Sequence, residues 1–242
     1  MQDTGNALNA LNWKRHTLLD VSDTGRESIL TELMGTGSDR TRLNEKIKGL
    51  ILPDQSGIRA PGIVRREDAA PRPGRVPIGF CQLVSSGKER LRIAAFVRPS
   101  DVVRATSPYE LMSFPIHGRT ASTKALLAAK TQAGIDGLVL GVWGSAAMEL
   151  YTGQPCTHDG SDLDLLLAAS SVERLSRFLT DVQAMEERFA LRIDVEVDLP
   201  SGYGVHLKEL FGQGRTLLGK SMNQVALLSR DQVLGELPQE KA

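Results

Sequence analysis

The stretch Gly144–Leu167, GSAAMELYTGQPCTHDGSDLDLLL, decides how this chain is read. A Gly-Ser turn opens a helix through AAMELY, and SDLDLLLAA follows as a strand with Asp162 and Asp164 two residues apart. Strand side chains alternate, so both carboxylates lie on one face. Leu163, Leu165, Leu166 and Leu167 surround them, and burying this strand sets two acids beside a core where unpaired charge is costly. Carboxylates this close repel, and a bound Mg²⁺ relieves the repulsion by bridging them to a substrate phosphate. A second ion, usual in such sites, lowers the pKa of an attacking hydroxyl and neutralises a pyrophosphate leaving group. Gly144 and Ser145 add backbone N–H groups and the positive end of a helix dipole, both suited to phosphate oxygens.

The flanking sequence extends this pattern. LRIDVEVD, residues 191–198, alternates strictly, with Leu191, Ile193, Val195 and Val197 against Arg192, Asp194, Glu196 and Asp198. Asp194 is the preferred third carboxylate and Glu196 the other choice. Three acids on one strand face call for a cationic neighbour or a solvated edge. Upstream, Ser122 is placed to cap a helix through KALLAAKTQA that ends at Gly134, and residues 137–143 form a buried strand. Ser170 and Glu173 have capping-box spacing at the head of a helix whose apolar stripe runs through Val172, Leu175, Phe178, Leu179, Val182, Met185 and Phe189. Lys220 or Lys208 is a candidate counter-charge for a triphosphate.

The N-terminal half is less regular. Residues 23–75 are rich in Gly, Pro, Ser, Asp and Arg and are expected to be loops around short elements. VPIGFCQLV and RLRIAAFV form a hairpin across SSGKE, which places Arg90 and Arg92 on one strand face where they can meet phosphate or a partner protein. The junction SFPIHGRT, residues 113–120, divides the chain into domains at 1–117 and 118–242.

Composition narrows the classes. The chain has 242 residues, and Lys plus Arg and Asp plus Glu both number 29, so net charge gives no reason to expect nucleic acid or membrane. The balance is uneven: residues 59–98 hold 9 basic and 3 acidic side chains, and this segment is +6. No apolar run reaches the roughly 20 residues of a membrane span, and MQDTGNALNALNWKRH lacks the form of a secretion signal, so the expected location is cytoplasmic. Cys81 and Cys156 are expected to be free thiols. Gly134, Gly137 and Gly141 lack the spacing of a dinucleotide fingerprint.

A Gly-Ser turn, two alternating acids and a third acid on a later strand resemble the polymerase-β-like nucleotidyltransferase superfamily, with Gly144, Ser145, Asp162, Asp164 and Asp194 matching in order. The interval from Ser145 to Asp162 is several residues longer than is usual there. WGS, TGQP at 152–155 and SDLDLL more closely resemble the phosphoribosyl-dephospho-CoA transferases, the holo-[acyl-carrier-protein] synthases of malonate decarboxylase. Weaker agreement is found in VPIG, RLR, RIDVEV and HLKEL, and the first sixty residues fit poorly.

That resemblance implies an α+β fold: a nucleotidyltransferase core with mixed sheet and flanking helices, plus a smaller N-terminal α+β domain for substrate or carrier recognition. It implies triphosphoribosyl-dephospho-CoA as donor, Mg²⁺ as cofactor, and the apo acyl-carrier subunit of malonate decarboxylase as partner. Asp162, Asp164 and Asp194 would be catalytic, the same three with Glu196 would hold metal, and Gly144, Ser145, Lys220, Arg90 and Arg92 would bind the donor. Two alternatives stand beside this: adenylylation of another acceptor such as tRNA, a small molecule or a protein, and a non-catalytic binding module of the same fold.

Overall fold

A computed structural model describes residues 13–34, 41–53, 57–66, 72–82 and 91–239. The chain divides into two compact α+β units, 1–107 and 108–242.

The N-terminal unit is built from β1 (Leu18–Val21), α1 (Asp23–Met34), α2 (Thr41–Ile51), β2 (Gly62–Val64), β3 (Val76–Cys81), β4 (Arg92–Val97) and β5 (Val102–Thr106). Its strands form an antiparallel sheet in the order β4-β3-β2-β1-β5. β3 and β4 are the expected neighbours, paired from Val76↔Val97 to Cys81↔Arg92, while the SSGKE turn and Arg90 lie outside the described residues. The expectation of loops over 23–75 is corrected by α1 and α2. Two residues that read as loop punctuation belong to the packing of α1. A Cβ on Gly25 would stand 2.7 Å from the Asp101 side chain, so the helix approaches closely there. Arg26 is fully buried and donates to the carbonyls of Val21, Ile51 and Ala60, a fixed cation satisfying backbone acceptors outside the ladders rather than a solvated charge.

The C-terminal unit runs through a 3₁₀ turn (Glu110–Ser113), α3 (Ala121–Ile135), β6 (Leu140–Trp143), α4 (Gly144–Thr152), β7 (Leu163–Ala168), α5 (Val172–Phe189) and β8 (Ile193–Asp198). β9 (Gly204–His206), α6 (Leu207–Leu210), β10 (Thr216–Lys220), β11 (Val225–Ser229) and α7 (Arg230–Glu236) complete it. The mixed sheet has the order β11-β10-β9-β8-β7-β6, with β7 and β8 parallel and joined by α5. Leu163, Leu165 and Leu167 with Ile193, Val195 and Val197 are buried, and α3 packs against both α5 and β7. Of the expected α5 stripe, Leu175, Phe178, Val182 and Met185 are buried.

Three element ends differ from expectation. Thr120, not Ser122, caps α3: its extended backbone lets its side chain accept from Thr123 N–H, and Thr123 returns a bond to the Thr120 N–H. Ser122 is already inside the helix, fully buried. Gly134 is helical, and the left-handed residue is Gly137, φ +65°. Ser171, one residue later than Ser170, caps α5 by accepting from Arg174 N–H.

Candidate functional site

The site is assembled on β7 and β8. Their parallel register sets Asp164 directly beside Asp194 and Leu166 beside Glu196. Asp162 precedes β7, exposed, and its carbonyl accepts from the Ser122 Oγ at 3.1 Å, so the capping position lost by Ser122 becomes a tie to the acid segment. Burial, then the charges of Asp162, Asp194 and Glu196, push the Asp164 carboxyl up to about 7. Four carboxylates therefore share one electrostatic environment, with Asp164 at its centre.

Gly144 follows β6 and begins α4. Its φ of +70° is open to glycine without strain, and a Cβ there would stand 2.1 Å from Asp164 Oδ2. The bend rests on the acid. Trp143, the residue before the helix, is extended and supplies no side-chain cap, so the first-turn N–H groups of α4 at Gly144 and Ser145 are presented beside Asp164 without a capping oxygen.

The remaining acids meet partners. Asp194 accepts from Arg192 Nε at 3.0 Å and lies 2.7 Å from Arg192 Nη2. His206 Nε2 stands 3.2 Å from Asp194 Oδ1, and Lys208 N–H donates to His206 Nδ1, which assigns the ring hydrogen to Nε2 and makes it the donor to Asp194. Glu196 is 6% exposed and pairs with Lys220 at 3.5 Å. Tyr109 donates its hydroxyl to Asp198 at 2.9 Å, and burial together with the Asp198 charge holds that hydroxyl far above its ordinary range. The cationic compensation demanded by an acidic strand is thus Arg192 and Lys220, with His206 adding a hydrogen bond to Asp194.

Among the described residues no three of His, Cys, Asp or Glu converge into a closed metal-holding cluster. Asp194 pairs with Arg192 and His206, and Glu196 with Lys220. The donor types suit magnesium, since all are carboxylate oxygens of the kind a hard divalent cation takes, and the Asp164 carboxyl, raised first by burial and then by its acidic neighbours, is one whose charged form such a cation would favour.

Arg92 opens β4 in the N-terminal unit, exposed, and Arg90 is outside the described residues. Lys208 pairs with Glu186 at 2.6 Å. His158 accepts from Gly160 N–H in the loop before Asp162. A cavity of about 670 Å³ on α3 and α5, lined by Leu127, Met185 and Phe189 among others, contains none of these acids.

Sequence reasoning missed three contributors. Tyr109 and His206 carry no spacing signal, since only the folded unit brings them to Asp198 and Asp194. The third is a clamp: Glu149 of α4 accepts from Thr157 N–H at 2.8 Å and Thr157 Oγ1 at 2.7 Å, and pairs with Arg119 at 2.7 Å. Although burial raises it, these bonds hold the Glu149 carboxyl below its ordinary range. The clamp fixes the loop that delivers Asp162.

The family model for the phosphoribosyl-dephospho-CoA transferase MdcG C-terminal domain matches residues 110–231, and that for the N-terminal domain matches residues 14–108. A phosphoribosyl-dephospho-CoA transferase of Xanthomonas axonopodis pv. citri (strain 306) is 35% identical over 170 residues, covering 70% of this chain and 79% of the relative. One from Bradyrhizobium diazoefficiens is 28% identical over 233 residues, covering 91% and 92%. One from Pseudomonas putida is 34% identical over 176 residues, covering 70% and 78%. No solved structure matches the chain. The chain is an enzyme of the transferase class. It belongs to the phosphoribosyl-dephospho-CoA transferase family.

Proposed function

We propose that this enzyme transfers the phosphoribosyl-dephospho-CoA group of 2′-(5″-triphosphoribosyl)-3′-dephospho-CoA to a serine hydroxyl of the apo acyl-carrier subunit of malonate decarboxylase. The serine oxygen bonds to the α-phosphorus, the bond from that phosphorus to the β-phosphate bridging oxygen breaks, and pyrophosphate leaves. The observation that carries this reading is the Gly144 bend seated on the half-buried Asp164, with Asp194 beside it in register.

Phosphoryl transfer of this kind depends on positioning and charge stabilisation rather than covalent catalysis. The N–H groups at Gly144 and Ser145 orient the outer phosphates beside Asp164. Asp162, Asp164 and Asp194, with Glu196 behind them, are the residues that would hold Mg²⁺, which when bound lowers the pKa of the serine hydroxyl and neutralises the leaving diphosphate. His206 and Arg192 hold the Asp194 carboxylate on this face. Lys220, beside Glu196, contributes positive charge toward the donor. The N-terminal unit, whose 59–98 segment is +6, serves carrier recognition, and Arg92 lies within that segment. The enzyme acts in the cytoplasm, where carrier and donor are made.

The test is the mass of an apo acyl-carrier subunit incubated with the chain, Mg²⁺ and the triphosphoribosyl donor. A gain equal to phosphoribosyl-dephospho-CoA is expected, with none from ATP; transfer of adenylate from labelled ATP instead would contradict the reading.

A further inference from the structure

The sheet face that carries the acids continues beyond them. Register relates Glu196 to His206, Asp198 to Gly204 and Gly204 to Lys220, so Lys220, Leu218 and Thr216 of β10 share the face of Asp194 and Glu196. On β11, Val225 stands opposite Lys220 and Leu227 opposite Leu218. All three apolar side chains are open: Leu218 is 40%, Val225 42% and Leu227 73% exposed. β11 is the edge of the sheet, and residues 224–229 carry no charge. An uncharged apolar edge left in water is a liability that folded proteins ordinarily cover.

The chemistry of the face is ordered. Outward from β7 come the carboxylate pair of β7 and β8, then His206, then Lys220, then Leu218, Val225 and Leu227. Four strand spacings separate β7 from β11, about 19 Å. A donor built as triphosphate, ribose, adenosine, diphosphate and pantetheine presents a matching sequence: phosphate at the acid site, a second anion some way off, and an apolar amide-linked arm beyond it. Three side chains are too few for a protein partner, since a stable interface buries about 800 Å² on each side.

We propose that the β10–β11 ledge seats the pantetheine arm of the donor, with Lys220 on the diphosphate that joins the arm to adenosine. This rests on the function proposed above and names a specificity surface for it. Leu218 and Leu227 grip the arm's gem-dimethyl and methylene groups, and Lys220 sits between the apolar ledge and the acids.

The test is calorimetric binding to the full chain of dephospho-CoA, which has the diphosphate and the arm, and of ADP, which has the diphosphate alone. Leu227→Ser and Leu218→Ser, both at exposed positions, should weaken dephospho-CoA about tenfold and leave ADP unchanged, while Lys220→Met weakens both. Asp164→Asn should bind dephospho-CoA as the parent does even if it cannot transfer, which separates failure of this proposal from failure of the transfer reaction. Unchanged dephospho-CoA binding in both serine variants would overturn the proposal. So would a loss confined to carrier affinity, or a change in oligomeric state with ligand binding intact.

Discussion

A Cβ placed on Gly144 would lie 2.1 Å from Oδ2 of Asp164, so the turn that opens α4 and the central acid of β7 occupy touching positions across the β6–β7 ladder. Gly144→Ala therefore carries both a left-handed backbone, at about 1 kcal/mol, and displacement of the Asp164 carboxylate. Gly153→Ala is the matched control: its φ is +68°, and nothing lies within 4 Å of a Cβ there. Both variants should lose a few degrees in thermal melts, while only Gly144→Ala loses transfer activity, by about tenfold or more. Equal activity in the two would separate the bend from the chemistry.

Asp164 gives a pH signature. Its ordinary pKa is 3.8 and burial with three acidic neighbours raises it to about 7 in the fold. Between these values the folded chain binds more protons than the unfolded one, so stability falls as pH rises through that window and stays lowered above it. Asp164→Asn removes the penalty. Without divalent ions, denaturant unfolding should show the variant more stable at pH 8, on the order of 1–3 kcal/mol, with the gain shrinking as pH falls and vanishing below the ordinary Asp pKa of 3.8. An equal gain at both ends of this range would contradict the assignment.

Much of this site was legible because its signals are local. Asp162 and Asp164 stand out as acids two residues apart, although Asp162 lies just ahead of β7 rather than on it, and a Gly-Ser pair between a strand and a helix is a turn in any fold. Asp194 was legible as an acid on a strand face, but its register against Asp164 was not, since sequence does not say that β7 and β8 are parallel neighbours. Tyr109 and His206 reach their acids across 89 and 12 residues of chain. The helices α1 and α2 were obscured because Gly25 and Arg26 serve close packing and buried carbonyl bonds, roles that look like loop composition until the partners are known.

The Glu149 clamp should be felt in both stability and activity. Thr157 is 2% exposed, so Glu149→Leu leaves its N–H and hydroxyl without their shared acceptor, at about 2–3 kcal/mol. Because the Glu149 pKa is depressed, the stabilisation it gives is present above the ordinary carboxylate range and lost as pH falls below about 4.5. Transfer by the variant should need more Mg²⁺ for half-maximal rate, since the clamp fixes the loop leading to Asp162. A titration with unchanged midpoint would confine the clamp to folding.

The positive segment can be tested at Arg66, which is exposed. Arg65 is less suitable, because its Nε donates to the Ile78 carbonyl at 3.1 Å and reversal there disturbs β3. Arg66→Glu should weaken carrier binding several-fold at low ionic strength and flatten its salt dependence. Identical binding isotherms for variant and parent across salt would remove this surface from carrier docking.

The most direct measurement is the mass of the carrier after incubation with Asp164→Asn, the triphosphoribosyl donor and Mg²⁺. The variant is expected to be folded and at least as stable as the parent at pH 8, yet to add the prosthetic group more slowly by about 10²–10³-fold. A carrier that gains its full mass at the parental rate would contradict the assignment of Asp164 to the chemistry.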